Sequence, residues 1–228
     1  RGLLQPGRLT EDYVSGRRAH YLPPLRVYLT VSVLYFVIAA AAPVAIGEVG
    51  GRQVRAGGVR VEVTGPTSIG VLSEEDRAEL RARLDDSPRL FRPMLRAMLE
   101  DPAAFRSRVF VTMPRVLFGM LPIFAAIVSL FYRRRPFPTA LVFAVHLHSF
   151  TFVVLTLSEL AKFTNSVAVA AGAGILAMVS MLVYTLAASR RVYGGGWPLI
   201  AAKTAGIGVL YLVASIPAFA VILAWASI

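Results

Sequence analysis

Five long segments of the chain are apolar at nearly every position and lack the polar face of a helix on a soluble protein. Each apolar run has about 20 residues, the length with which an α-helix crosses a ~30 Å hydrocarbon layer. The pattern therefore predicts an integral membrane protein. The predicted spans cover residues 28–46, 113–132, 139–157, 167–187 and 199–228.

Residues 47–112, between the first two spans, show shorter patterns. Apolar and polar positions alternate in Gln53–Ala56 and in Val59–Val63, on either side of the pair Gly57 and Gly58. Alternation on both sides of a two-residue glycine turn is typical of a β-hairpin. We therefore predict a small hairpin in this segment.

Three helices are predicted after the hairpin. Ser73 is a suitable N-cap for a helix that ends near Leu84. The second helix, 88–100, has an apolar face and an arginine-rich face, so it either lies on the outer leaflet or packs on the hairpin. Asp101 and Pro102 begin a third helix that continues into the second span. The predicted fold is all-α in the membrane, with five transmembrane helices and a small α+β extracytoplasmic insertion.

The positive charge of the chain is concentrated at the ends of the apolar runs. Of 228 residues, 16% are charged, and the formal net charge is +11. Residues 47–112 contain 11 Arg against 10 Asp or Glu and so contribute little of that excess. Basic residues placed at helix ends orient spans in a membrane and form no continuous stripe along a phosphate backbone, so we predict no nucleic-acid partner.

The basic clusters also predict an orientation, because basic residues in short loops stay on the cytoplasmic side. All clusters face one side if the chain crosses five times and the basic N-terminal segment 1–27 is cytoplasmic. Residues 47–112 and the end of the fifth span then lie on the extracytoplasmic side, and we predict a location in the cytoplasmic membrane. The orienting residues are Arg17, Arg18, Arg133, Arg134, Arg135, Arg190 and Arg191.

Two tryptophans are predicted to anchor the fifth span at the two membrane interfaces. Trp197 and Trp225 are 28 residues apart, which is ~42 Å along a helix. The two headgroup regions are ~40–45 Å apart. Membrane lipid is therefore a predicted partner of the chain. Other membrane protein subunits are the second class of predicted partner.

His146 and His148 lie in the middle of the third span. An ionisable side chain is energetically unfavourable at this depth of a membrane unless it has a partner or a function. Residues two apart point ~200° away from each other on a helix, so the two rings do not share one metal. One interpretation is a neutral histidine bonded to a hydroxyl or carbonyl of a facing helix. The others are a link in a proton path or an axial ligand of haem or a chlorophyll-type pigment. We predict no metal and no cofactor and keep the pigment or haem as the alternative.

Small residues four apart occur in the fourth and fifth spans, a spacing that lets helices approach closely. They predict a tight contact between these two helices or with another subunit, although an alanine-rich composition also produces such pairs by chance. The pairs are Ala168 with Gly172, Ala170 with Gly174, Ala202 with Gly206, and Thr204 with Gly208.

The membrane segments contain no arrangement of residues that predicts catalysis. There is no cysteine, no Ser-His-Asp set, no His-Glu metal motif and no close pair of carboxylates. Glu159 and Lys162, three residues apart at the end of the third span, are expected to pair. We therefore predict that the chain is not an enzyme.

Two stretches resemble the bacterial membrane-protein family known as domain of unknown function 3667. One is Gly16-Arg17-Arg18-Ala-His-Tyr21-Leu-Pro23-Pro24, and the other runs within residues 121–150 and includes Phe143-Ala-Val-His146-Leu-His148-Ser-Phe150. The resemblance implies a basic N-terminal stretch, one crossing, a long loop and a bundle of further crossings. It implies no activity.

The first functional hypothesis is a non-catalytic accessory subunit that packs against, stabilises or assembles a larger membrane complex, for example a photosynthetic or respiratory one. It is motivated by the close-packing surfaces and by the lack of catalytic chemistry. A small transporter or channel is the second hypothesis, although no polar path crosses the bilayer. The third is a pigment- or haem-binding membrane protein that uses a histidine of the third span.

Overall fold

The structure, a computed structural model, describes residues 5–16, 24–42, 55–56, 59–60, 78, 82, 92–164 and 166–226. Within these residues the chain is nearly all helical. Its helices are α1 (Arg8–Val14), α2 (Pro24–Ala41), α3 (Arg92–Glu100), α4 (Pro102–Phe131), α5 (Phe137–Ala161), α6 (Val167–Tyr193) and α7 (Trp197–Ala226), with a 3-10 turn at Lys162–Thr164. Five of them, α2 and α4 to α7, are long and apolar enough to cross a membrane, which confirms the predicted number.

Local sequence explains where the long helices begin and end. Asp101 accepts a hydrogen bond from the amide of Ala104 at 2.9 Å, so it caps α4, and Pro102 occupies the first helical position. Ser166 caps α6 in the same way, by accepting from the amide of Val169. Gly194, with a φ of 71°, ends α6 in a conformation that favours glycine.

The external segment is only partly described. Strands β1 (Arg55–Ala56) and β2 (Val59–Arg60) pair antiparallel within the predicted hairpin. A pairing of two strands with two residues each is too short to be a stable sheet by itself, so it does not support the α+β insertion that we predicted. The rest of the predicted hairpin and most of the helix predicted from Ser73 lie outside the described residues.

Helix α5 forms the centre of the bundle. It packs against α2, α4 and α6, and Ala144 and Ser149 on it are fully buried. Because Ala144 has only a methyl side chain, neighbouring helices approach α5 closely there. Helices α6 and α7 expose most of their apolar side chains, as expected of surfaces that face lipid.

The N-terminal segment lies against the end of the bundle that carries the basic loops. An Nη1–H of Arg191 donates to the carbonyl of Pro6 at 2.8 Å, and Arg191 Nε lies 4.0 Å from a carboxylate oxygen of Glu11. Residues 162–166 join α5 to α6, so the start of α5 is at the same end of the bundle as the end of α6. We call this the basic end, defined by Arg133–Arg135 with Arg190 and Arg191, and we call the opposite end, at Lys162, the far end.

Candidate functional site

A cavity of about 740 Å³ lies between the membrane helices. Its walls come mainly from α2, α4, α5 and α7, and most of its lining side chains are aromatic or aliphatic. Sites for small molecules have volumes of about 300–1,000 Å³ and an apolar lining with a few polar groups. The cavity has the size and the composition of such a site.

His148 and Tyr211 form a hydrogen-bonded pair in this cavity. His148 Nδ1 lies 2.8 Å from the carbonyl oxygen of Ala144, and His148 Nε2 lies 3.2 Å from the Tyr211 hydroxyl. A carbonyl oxygen only accepts, so Nδ1 carries a hydrogen, and in the neutral ring Nε2 then accepts from Tyr211. Both nitrogens of the histidine are therefore bonded.

Three threonines add hydroxyl groups to the same lining. Thr151 donates to the carbonyl of Leu147 at 3.0 Å, and Thr185 donates to that of Met181 at 2.7 Å. Thr204 Oγ1 is buried and has no hydrogen-bond partner among the described residues. An unsatisfied buried hydroxyl costs about 1–3 kcal/mol, so a hydrogen bond from this atom to a ligand or a water would be favourable.

The far end of the cavity carries an ion pair. Lys162 Nζ lies 2.8 and 2.7 Å from the two carboxylate oxygens of Glu159, which forms the pair expected from their spacing. Along the chain, Lys162 comes about four helical turns after His148. We call the region at Glu159 and Lys162 the mouth of the cavity and the region at His148, Tyr211 and Thr204 its floor.

His146 lies outside this cavity and has a different neighbour. Its Nδ1 is 2.9 Å from the hydroxyl of Thr10 on α1, and both residues are buried. Helix α1 therefore reaches into the basic end of the bundle. The sequence did not single out Thr10 or Tyr211, although Tyr211 was detectable as a rare hydroxyl-bearing side chain within the fifth apolar run.

The surroundings of His148 do not fit a haem or chlorophyll-type ring. A metal would take Nε2, but the Tyr211 hydroxyl is bonded to that atom, and the Phe124 ring lies 5.0 Å from the imidazole centre. A macrocycle would have to displace both side chains. Among the described residues, no three His, Cys, Asp or Glu side chains are grouped to hold a metal ion.

Helices α6 and α7 contact each other, and the small residues predicted to bring them together lie in different surroundings. Gly206 packs against α4, because an added Cβ would lie 2.9 Å from the Phe131 ring. Thr204 and Gly208 line the cavity. Of the other residues in these pairs, Ala170 is half-buried. Four are exposed, namely Ala168, Gly172, Gly174 and Ala202. The predicted contact through these pairs, between α6 and α7 or with another subunit, therefore stays a prediction.

The residues predicted to orient and anchor the chain lie at the surface of the bundle. Arg133–Arg135, Arg190 and Arg191 are exposed at the basic end. Trp197 and Trp225 are also exposed, and the Arg190 guanidinium lies 4.3 Å from the centre of the Trp197 ring. Arg17 and Arg18 lie outside the described residues.

Comparison with known proteins gives a match at the N-terminal end of the chain. No curated protein and no solved structure matches the chain. The matched segment, residues 1–36, covers α1 and much of α2. It ends before residues 121–150, which contain the second stretch that carried the resemblance. Over residues 1–36 the resemblance is confirmed, because this segment matches the family described as "Protein of unknown function (DUF3667)".

Proposed function

We propose that this chain is a non-catalytic membrane protein that holds a small apolar molecule between its helices. The observation that carries the proposal is the 740 Å³ cavity. Protein interiors are normally packed with few voids larger than a water molecule, and apolar walls hold water poorly. An apolar ligand or lipid taken from the bilayer is the occupant that suits such walls.

Gly208 offers a way to fill the cavity from its wall. It lines the cavity, and an added Cβ would meet no described heavy atom within 4 Å. Gly208→Leu therefore adds a bulky side chain at the cavity wall without a clash at its first carbon. Gly174→Leu is the matched control, because Gly174 is an equally unobstructed helical glycine on the exposed surface of α6.

The test is mass spectrometry of organic extracts from protein purified in mild detergent. We expect a molecule that co-purifies in near-stoichiometric amount with the wild type and with Gly174→Leu. The same molecule should be depleted at least several-fold in Gly208→Leu. Equal retention by Gly208→Leu, or an empty wild type, would contradict the proposal.

A second candidate function, favoured by a different observation, is that of an accessory subunit of a larger membrane complex. Ala168, Gly172 and Gly174 are exposed on α6, and no described atom would obstruct a Cβ at either glycine. In a membrane, helices associate through such small residues. Gly172→Leu should release a partner subunit that co-purifies with the wild type, whereas Gly208→Leu should retain it. A wild type that purifies alone would argue against this role.

We also propose that the chain resides in a bacterial inner membrane with its basic end in the cytoplasm. The proposal is supported by the clustering of Arg133–Arg135, Arg190 and Arg191 at one end of the bundle, since basic residues in short loops stay cytoplasmic. In this orientation residues 47–112, the cavity mouth and the end of α7 are extracytoplasmic.

A further inference from the structure

We infer that the ligand of this cavity has a neutral, hydrogen-bonding head at the floor and an apolar tail that extends toward the mouth. This inference rests on the proposed function and names the chemical class of the ligand. A carbonyl or hydroxyl oxygen on a hydrocarbon or isoprenoid tail has the required chemistry. The distribution of polar groups along the cavity supports this assignment.

The floor excludes a charged head. The hydrogen-bonding groups of the floor, His148, Tyr211 and Thr204, are not charged side chains, and the only charged residues in the described lining are Glu159 and Lys162. The hydroxyls of Thr151 and Thr185 in the same lining are also neutral. These two lie about three to four turns away along α5 and neutralise each other. A charge buried in an apolar environment without a partner is strongly unfavourable, so a carboxylate or phosphate head does not suit the floor.

The floor does have unused hydrogen-bonding capacity. The Thr204 hydroxyl has no partner among the described residues and can donate to a ligand oxygen. The Tyr211 hydroxyl donates to His148 Nε2, so its oxygen is still able to accept from a ligand hydroxyl. A neutral head with a carbonyl oxygen would satisfy Thr204, and one with a hydroxyl can donate to Tyr211.

The stretch from floor to mouth is suited to a tail. Phe36, Met113, Leu117, Phe152 and Leu155 line it and offer aromatic and aliphatic surfaces. On α7, Thr204, Gly208 and Tyr211 follow the spacing of one helical face, so the glycine widens the cavity between the two hydroxyl groups. An unbranched or isoprenoid chain would bury its surface there, at about 25 cal/mol per Å² removed from water.

The test compares three probes by equilibrium binding to the protein in lipid nanodiscs. Decylubiquinone has neutral carbonyl oxygens and a decyl tail, palmitate has an anionic head, and squalene has no polar head. Thr204→Val removes the unpartnered hydroxyl with little change of shape. Thr156→Val is the matched control, because it removes a buried hydroxyl that is bonded within α5 and is not part of the cavity lining.

We expect decylubiquinone to bind more tightly than palmitate, and Thr204→Val to weaken its binding about 3- to 10-fold, the equivalent of one neutral hydrogen bond. Thr156→Val should bind decylubiquinone like the wild type, and squalene should not distinguish the two variants. Stronger binding of palmitate, absent binding of decylubiquinone, or equal effects of the two valines would overturn the neutral head. If Gly208→Leu binds the probes as well as the wild type, the cavity itself is not the site, and the proposed function fails with it.

Discussion

Gly7 is the residue on which the docking of the N-terminal segment depends most directly. Its φ is 71°, and an added Cβ would lie 3.0 Å from the carbonyl oxygen of Ala188 and 3.2 Å from Arg191 Cβ. A side chain at this position is therefore opposed both by the backbone conformation and by the close approach of α6. The first cost is of order 1 kcal/mol, and the contact with backbone adds to it.

We predict that Gly7→Ala loosens α1 and makes the N-terminal segment more accessible to protease. Gly16→Ala is the control, since Gly16 also has a positive φ, of 87°, but no described atom would lie within 4 Å of its added Cβ. Limited proteolysis at equal protein concentration measures the difference. Equal cleavage rates for the two variants would show that the contact with Ala188 contributes nothing.

Lys203 stabilises the end of a neighbouring helix. Its ammonium group donates to the carbonyl of Phe131 at 3.0 Å, at the C-terminus of α4, and lies 4.6 Å from the centre of the Tyr132 ring. The last carbonyls of a helix lack partners within the helix and attract positive charge. This half-buried lysine therefore joins α7 to α4.

Lys203→Met keeps most of the aliphatic side chain and removes the charge. We predict a loss of about 1.5–3 kcal/mol in the free energy of unfolding, the range for a hydrogen bond to a charged group. Unfolding in a denaturing detergent measures it, with Arg134→Met as a control at an exposed basic position. A midpoint shift equal to that of the control would contradict the capping role.

At the scale of elements, α1 and α2 together cover α5. The Tyr28 ring, near the start of α2, lies 5.7 Å from the Phe152 ring, which belongs to the second half of α5. Thr10 on α1 bonds His146, in the first half of α5. The short helix therefore packs nearer the basic end than the start of α2 does.

A double-mutant cycle tests the link between α1 and α5. Thr10→Val and His146→Leu each remove one side of a buried hydrogen bond, and we expect a coupling free energy of about 1 kcal/mol in unfolding. Thr30→Val with His146→Leu is the control cycle, because Thr30 bonds only within α2, to the carbonyl of Arg26. Additive effects in the first cycle would refute the link.

The long helices could be predicted from sequence because an apolar run of membrane length has few other structures open to it. Helix α1 could not be predicted, since its short sequence of mixed polarity carries no periodic signal and is held by tertiary contacts. The cavity was missed for a related reason. Thr204 and Gly208 have the spacing of a close helix contact, and only the positions of the other helices show that they border open space.

For the whole molecule, the central claim is a five-crossing bundle in which α1 and the basic loops share one membrane face and the cavity mouth lies on the other. The chain has no cysteine, so single cysteines can be introduced at exposed positions without a background. Arg134 is exposed at the basic end, Thr164 is exposed at the far end, and Ser15 is exposed just after α1.

Labelling of these three single-cysteine variants with a membrane-impermeant maleimide, in intact cells and in inverted membrane vesicles, tests the claim most directly. We expect Thr164→Cys to react in intact cells, and Ser15→Cys and Arg134→Cys to react only in inverted vesicles. Reaction of Thr164→Cys and Arg134→Cys from the same side would contradict the account, because α5 would then not cross the membrane.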